Sequence, residues 1–264
     1  MAKKKMLVDQ YSELASAVVR AIPRNMDTET AQGWIMDQDR LKLVLAAALL
    51  PEAEKGDEPA ERPVTPPAIE YFTPVPDADV PERHQPTLSA YRKLATDHGV
   101  SAATAVCYRV RAGFTLKNHA PKAGPCYKNF QYLQGWKFPD EPTTVGLVFW
   151  VPRIVDGSTS KTRREQEQIL SDLRTKLELS DQHLAGFGKV ALVAGLILAH
   201  HKATGERIPL DQHWVRTDTC NADGYRLYLG IFDDAGLHCP YWSFDEDAYD
   251  FLGVFALGVE ALGN

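Results

Sequence analysis

HWVRTDTCNADGYRLYLGIFDDAGLHCPYW, residues 213–242, admits two readings that lead to different folds. Inside it, DTCNADGYRL (218–227) looks like a calcium loop, because acidic and amide side chains alternate toward Asp223 and Gly224. A twelve-residue calcium loop with Gly224 in its sixth place would begin at Thr219 and end at Gly230, where a bidentate carboxylate is required. Both ends fail. The other reading explains more: HWVRTDT and YRLYLGIF are strand-like, CNADG supplies Asn, Asp and Gly for a tight turn, and DDAG does the same before LHCPYW. The stretch predicts a three-strand antiparallel meander and no metal site.

The residues before the meander predict what covers it. SDQHLAGFGKVALVAGLILAHHKATG (180–205) is apolar nearly all round from Leu184 to Leu198, which predicts a buried helix ended by Gly205. SKTRREQEQILSDLRTKLEL (160–179) carries Ile169, Leu170, Leu173 and Leu177 on one side, so it predicts a helix lying on a sheet. TTVGLVFWVPRI (143–154) is a near-continuous apolar run suited to a central strand covered on both faces. AVCYRVRAGFTL (105–116) alternates, with Val106, Tyr108, Val110, Phe114 and Leu116 inward and Cys107, Arg109, Arg111 and Thr115 outward. TLSAYRKLATDHG (87–99) fits a helix closed by Gly99, and NHAPKAGPCYKNFQYLQGWKFPDEP (118–142) reads as a loop with aromatic anchors.

The first part of the chain has another character. Residues 1–50 predict a small module of three short helices, broken at Pro23 and stopped at Pro51. Its third helix carries more leucine than its own core stripe needs, Leu43 and Leu50 among them, and Trp34 lies on the second. Surplus apolar surface on a unit of this size suggests docking, so Trp34, Leu43 and Leu50 are candidate partner-binding residues. Residues 51–86 are rich in Pro, Glu and Asp without a sustained period and read as a semi-rigid linker, although Ile69, Tyr71, Phe72 and Val75 suit contact with the domain beyond it. The expected class is α+β: a helical module over 1–50, a linker over 51–86, and an α+β domain over 87–264 in which two helices pack an antiparallel sheet.

Composition narrows the function classes. The net charge of −6 argues against a general nucleic-acid binder, although Arg109, Arg111, Lys117, Arg163 and Arg164 offer local basic residues. MAKKKML at the start is followed by interrupted, periodic apolar positions, neither a signal peptide nor a membrane span, so the expectation is a cytoplasmic protein without a membrane partner. The four cysteines, Cys107, Cys126, Cys220 and Cys239, are scattered without a paired ligand spacing and predict buried thiols; a link or shared zinc between Cys220 and Cys239, with His213 or His238, is the alternative.

Motifs for chemistry are few. GFGKV (186–190) has the wrong spacing for a phosphate loop, and helix-packing glycines are the better account. His200 and His201 are neighbours about 100° apart on a helix, poorly placed to chelate one ion together. Trp214, Arg216 and Asp218 share one strand face; they read as a structural ion pair or as an Arg fork beside an aromatic plane, a ligand site that Trp242, Asp245 and Asp247 would extend. No cofactor motif is present in the chain.

AQGWIMDQDRLKLVLAAALLP (31–51) resembles an N-terminal helical module of uncharacterised proteins from small-genome, candidate-phylum bacteria. LILAHHKATGERIPL (196–210), WVRTDT (214–219) and YRLYLGIFDDAGLHC (225–239) resemble one of the C-terminal parts joined to it there. The resemblance implies a modular architecture and carries no activity. The expected function is a non-catalytic interaction protein that binds another protein through its N-terminal module. The alternative is an enzyme that uses Arg216, Asp218 and one of His200, His201 or His213.

Overall fold

The computed structural model describes residues 70–179, 187–210, 212–221 and 223–260. The three helices expected in residues 1–50, with Trp34, Leu43 and Leu50, lie outside those residues. In chain order the described elements are β1 (Phe72–Pro74), α1 (Gln85–Asp97), β2 (Cys107–Val110), α2 (Ala120–Ala123), β3 (Gly146–Ile154), α3 (Arg163–Lys176) and α4 (Val190–Thr204). Then come β4 (Trp214–Cys220), β5 (Arg226–Asp233), β6 (Gly236–Ser243), β7 (Leu252–Gly253) and β8 (Phe255–Glu260).

The meander forms as its turn chemistry predicts, with β4, β5 and β6 antiparallel neighbours. At the first turn Asn221 Oδ1 accepts the N–H of Asp223 at 3.1 Å and of Tyr225 at 2.9 Å, and Gly224 takes φ +85°, a conformation cheap only for glycine. At the second, Asp233 Oδ1 accepts the Ala235 N–H at 2.8 Å. The loop at 218–227 therefore turns a corner.

One antiparallel sheet was expected, and there are two. β1, β2, β3 and β8 make an antiparallel sheet in the order β1-β2-β3-β8, and the meander forms a second in the order β6-β5-β4-β7, with β7 parallel to β4. The reason is α4. An amphipathic helix needs one sheet to cover its stripe, but α4 is buried from Val190 through His200 except at Leu192 and must be covered on both sides. Phe72, Tyr108, Val148 and Trp150 of the first sheet and Val215, Leu227, Leu229 and Phe232 of the second share its core cluster. On the first sheet's other face, Leu88, Tyr91, Leu94 and Leu170 from α1 and α3 pack against Leu147, Phe149 and Val151. β3 is thus the doubly covered central strand that its apolar run predicts.

Close approach fixes one residue type here. A Cβ at Gly195, mid-helix in α4, would fall inside the Phe72 ring of β1. Glycine therefore sets the spacing between helix and sheet at that crossing.

Other expectations shift at their ends. The alternating run 105–116 pairs only over Cys107–Val110, and Gly113 at φ +106° turns the chain. Cys107 is buried against α1's side of the sheet, so the predicted basic outer stripe keeps Arg109 but not Cys107 as an exposed position. Residues 70–86, the second half of the segment read as a linker, are built into the domain: β1 pairs with β2, and Arg92 of α1 grips Asp77 through two hydrogen bonds of 2.6 and 2.8 Å. α3 starts with a capping box in which Thr162 and Glu165 exchange hydrogen bonds. No described helix is long and apolar enough to cross a membrane.

Candidate functional site

Arg216 is fully buried, on the face of β4 that points away from α4. Its Nε donates to Gln166 Oε1 at 2.8 Å, Nη1 to Ser243 Oγ at 3.0 Å and to the Phe244 carbonyl at 3.2 Å, and Nη2 to the Asp247 carbonyl at 2.8 Å. All three guanidinium nitrogens are spent on the chain itself, which ties α3, the end of β6 and the turn after it to β4. Burial lowers the Arg216 pKa, and the Asp245 and Asp247 carboxylates act in the opposite direction.

Asp218 does not pair with Arg216. Its Oδ1 accepts from Arg163 Nη2 at 2.8 Å, and its Oδ2 from the backbone N–H groups of Phe187 and Gly188 at 3.0 Å each. GFGKV thus has an anion at its amides, and it is the chain's own carboxylate. Thr219 Oγ1 accepts the Val190 N–H at 3.0 Å.

The remaining residues of the sequence-predicted site separate. Trp214 is buried against Tyr228, ring centroids 5.5 Å apart, in a small cluster with Leu252 on the Arg216 face. Trp242 packs against the core on the opposite face. His200 lies edge-on to Trp150 inside that core, and His201 approaches the Glu206 carbonyl, so neither shares a face with Arg216. Cys107, Cys126 and Cys239 are buried free thiols and Cys220 is an exposed one; burial pushes Cys107 and Cys126 up to about 12. No cluster of metal-ligating side chains occurs among the described residues.

Trp242 instead joins an aromatic group at the surface. Its ring lies 5.3 Å from Trp136 and 5.6 Å from Phe138, and Trp136 is 44% exposed. Of these rings Trp136 borders a cavity of about 330 Å³, lined also by Asn129, Gln131, Gln134, Lys117 and Asp140 among others. Lys117 and Asp140 bond each other at 3.0 Å. The side-chain amides of Asn129, Gln131 and Gln134 have no hydrogen bond to a described residue, which leaves donors and acceptors facing an aromatic wall.

The backbone that presents them is strained. Lys128, Asn129 and Phe130 have φ of 46°, 50° and 55°, three consecutive left-handed residues without glycine, a conformation costing roughly 1–2 kcal/mol per residue. Tertiary contacts hold it: Phe130 and Leu133 are buried, and Tyr127 stacks on His238 at 4.2 Å. The Pro125 carbonyl accepts the Leu237 N–H at 2.9 Å and Tyr132 Oη accepts the Cys239 N–H at 3.0 Å. The segment thereby covers the outer edge of β6, whose alternate N–H groups would otherwise be left unpaired.

No family model, curated protein or solved structure matches the chain. The functional reading therefore rests on the geometry. The sequence offers Trp242 as an extension of the Arg216 site and reads as a loop with aromatic anchors over 118–142; the signal for the cleft is the density of Tyr127, Phe130, Tyr132, Trp136 and Phe138 in an otherwise polar stretch.

Proposed function

We propose that this is a non-catalytic interaction protein whose α+β domain binds a partner protein at the cleft lined by Trp136, Asn129, Gln131 and Gln134. The observation behind this reading is the exposed Trp136, backed by Trp242 and flanked by the unengaged amides of Asn129, Gln131 and Gln134 on a strained but well-anchored turn. Rigid aromatic rings beside adaptable amides are what recognition surfaces use, and backbone strain concentrates where a surface must be shaped for a ligand. Trp34, Leu43 and Leu50 of the N-terminal module would supply a second contact, so that two weak sites on one chain bind together more tightly than either alone.

The rival reading, an enzyme built on Arg216, Asp218 and a histidine, is weakened by the internal bonds that occupy both charged groups and by the separation of His200 and His201 from them. Affinity capture from lysate tests the proposal, using the native full chain beside Trp136→Ser and beside Leu43→Asp/Leu50→Asp. A defined protein captured by the native chain and lost with Trp136→Ser supports it. An identical captured set from all three contradicts it.

A further inference from the structure

A second cavity, of about 240 Å³, shares no lining residue with the aromatic cleft. It is bordered by Tyr71 and Glu70 just before β1, Phe114, His119 and Lys122 around α2, and Lys202 in the last turn of α4. We propose that it is a binding site for a small organic carboxylate with a flat apolar body.

His119 sets the direction of the hydrogen bonds. Its Nδ1 lies 3.0 Å from the backbone nitrogen of Thr115, and a backbone N–H can only donate, so Nδ1 is the acceptor. The imidazole then carries its hydrogen on Nε2, which faces the Tyr71 hydroxyl at 3.1 Å. Nε2–H donates, Tyr71 Oη accepts, and the phenolic hydrogen is left without a protein acceptor among the described residues. Tyr71 is thus an oriented hydrogen-bond donor at the cavity. Its ring is held by His119 at 4.7 Å and Phe114 at 5.9 Å, both edge-on.

Charge selects the ligand. Lys122 and Lys202 line the cavity without an ion pair to a described residue, against the single carboxylate of Glu70, so the lining carries one net positive charge. That matches a monoanion better than a dianion. The half-buried Tyr71 ring, backed by the buried Phe114, and the aliphatic stems of the two lysines supply the apolar lining, so an oxyanion attached to a flat hydrocarbon body fits both halves of the site, the oxygens at the Tyr71 hydroxyl and the ammonium groups and the body against the ring.

Calorimetric titration of the full chain with benzoate, benzamide and inorganic phosphate tests this, with Tyr71→Phe and Lys202→Gln run in parallel and folding checked by circular dichroism. The expected result is saturable benzoate binding, at least tenfold weaker binding of benzamide and of phosphate, and at least tenfold weaker benzoate binding in each variant. Imidazole ¹⁵N spectra should show the His119 Nε2 signal moving with benzoate. Equal binding of benzoate and benzamide, phosphate binding without benzoate, no benzoate binding, or benzoate binding unchanged in the variants would each overturn the proposal. Should Tyr71→Phe fail to fold, Lys202→Gln decides, since Lys202 is exposed on the last turn of α4. None of these outcomes bears on the Trp136 cleft.

Discussion

Asp218 on β4 is bound to Arg163 at the first turn of α3 through a 2.8 Å hydrogen bond, and the same carboxylate holds the Phe187 and Gly188 amides just before α4. One side chain thereby fixes a strand and two helices. Asp218→Ala leaves two backbone donors and the Nη2 of Arg163 without their acceptor, so it should lower unfolding free energy by roughly 2–4 kcal/mol. Urea denaturation checks this, and Asp218→Asn should recover part of the loss through its remaining carbonyl oxygen.

Arg216 makes a similar prediction with a sharper control. Arg216→Ala exposes Gln166, Ser243 and two carbonyls to an empty buried space and should cost about 3–5 kcal/mol. Arg216→Lys should not rescue it, because an ammonium cannot reach the fork of acceptors that a planar guanidinium spans. Full stability of Arg216→Lys in the same denaturation experiment would mean that the latch does not depend on that fork.

Gly195→Ala should destabilise the fold, although alanine favours helix. The added methyl meets the Phe72 ring, and overpacking of this kind costs about 1–3 kcal/mol. The double variant Gly195→Ala/Phe72→Leu should regain part of the loss, which a melting curve for each variant would show.

His200 gives the domain a pH dependence. Burial, with His201 beside it acting in the same direction, pushes its pKa down to about 4. The unfolded chain, with an ordinary value of about 6.5, takes up this proton first, so the stability contribution is complete above that value and is lost as pH falls toward 4. The slope from this group is at most about 1.4 kcal/mol per pH unit. Urea denaturation at pH 7 and 4.5 should show the native chain losing more stability than His200→Gln; equal losses would assign the dependence to other groups.

Much of the fold was legible because turn chemistry and periodicity are local. Asn221 and Gly224 mark the first turn of the meander, and the apolar run 143–154 marks a doubly covered strand. The number of sheets was not, since a helix apolar all round signals burial without saying what lies on each side. Nor was the cleft: strand alternation puts Trp214, Arg216 and Asp218 on one face and the meander offers Trp242 as an extension, but Trp242 pairs in register with Leu227, a core-facing position, whereas Arg216 pairs with Tyr228 on the other face. The left-handed run at Lys128, Asn129 and Phe130 is imposed by packing against β6 and leaves no glycine to announce it.

Whether the Trp136 cleft binds a protein is best tested by site-directed photo-crosslinking. Full-length chains carrying benzoylphenylalanine at the exposed cleft residue Gln134, at Trp136, or at the exposed Lys93 on α1 as a control would be irradiated in cells. A protein-binding cleft should give one discrete crosslinked protein shared by positions 134 and 136 and missing from position 93. No crosslinked species from the cleft positions, or the same mixture from all three, would contradict it.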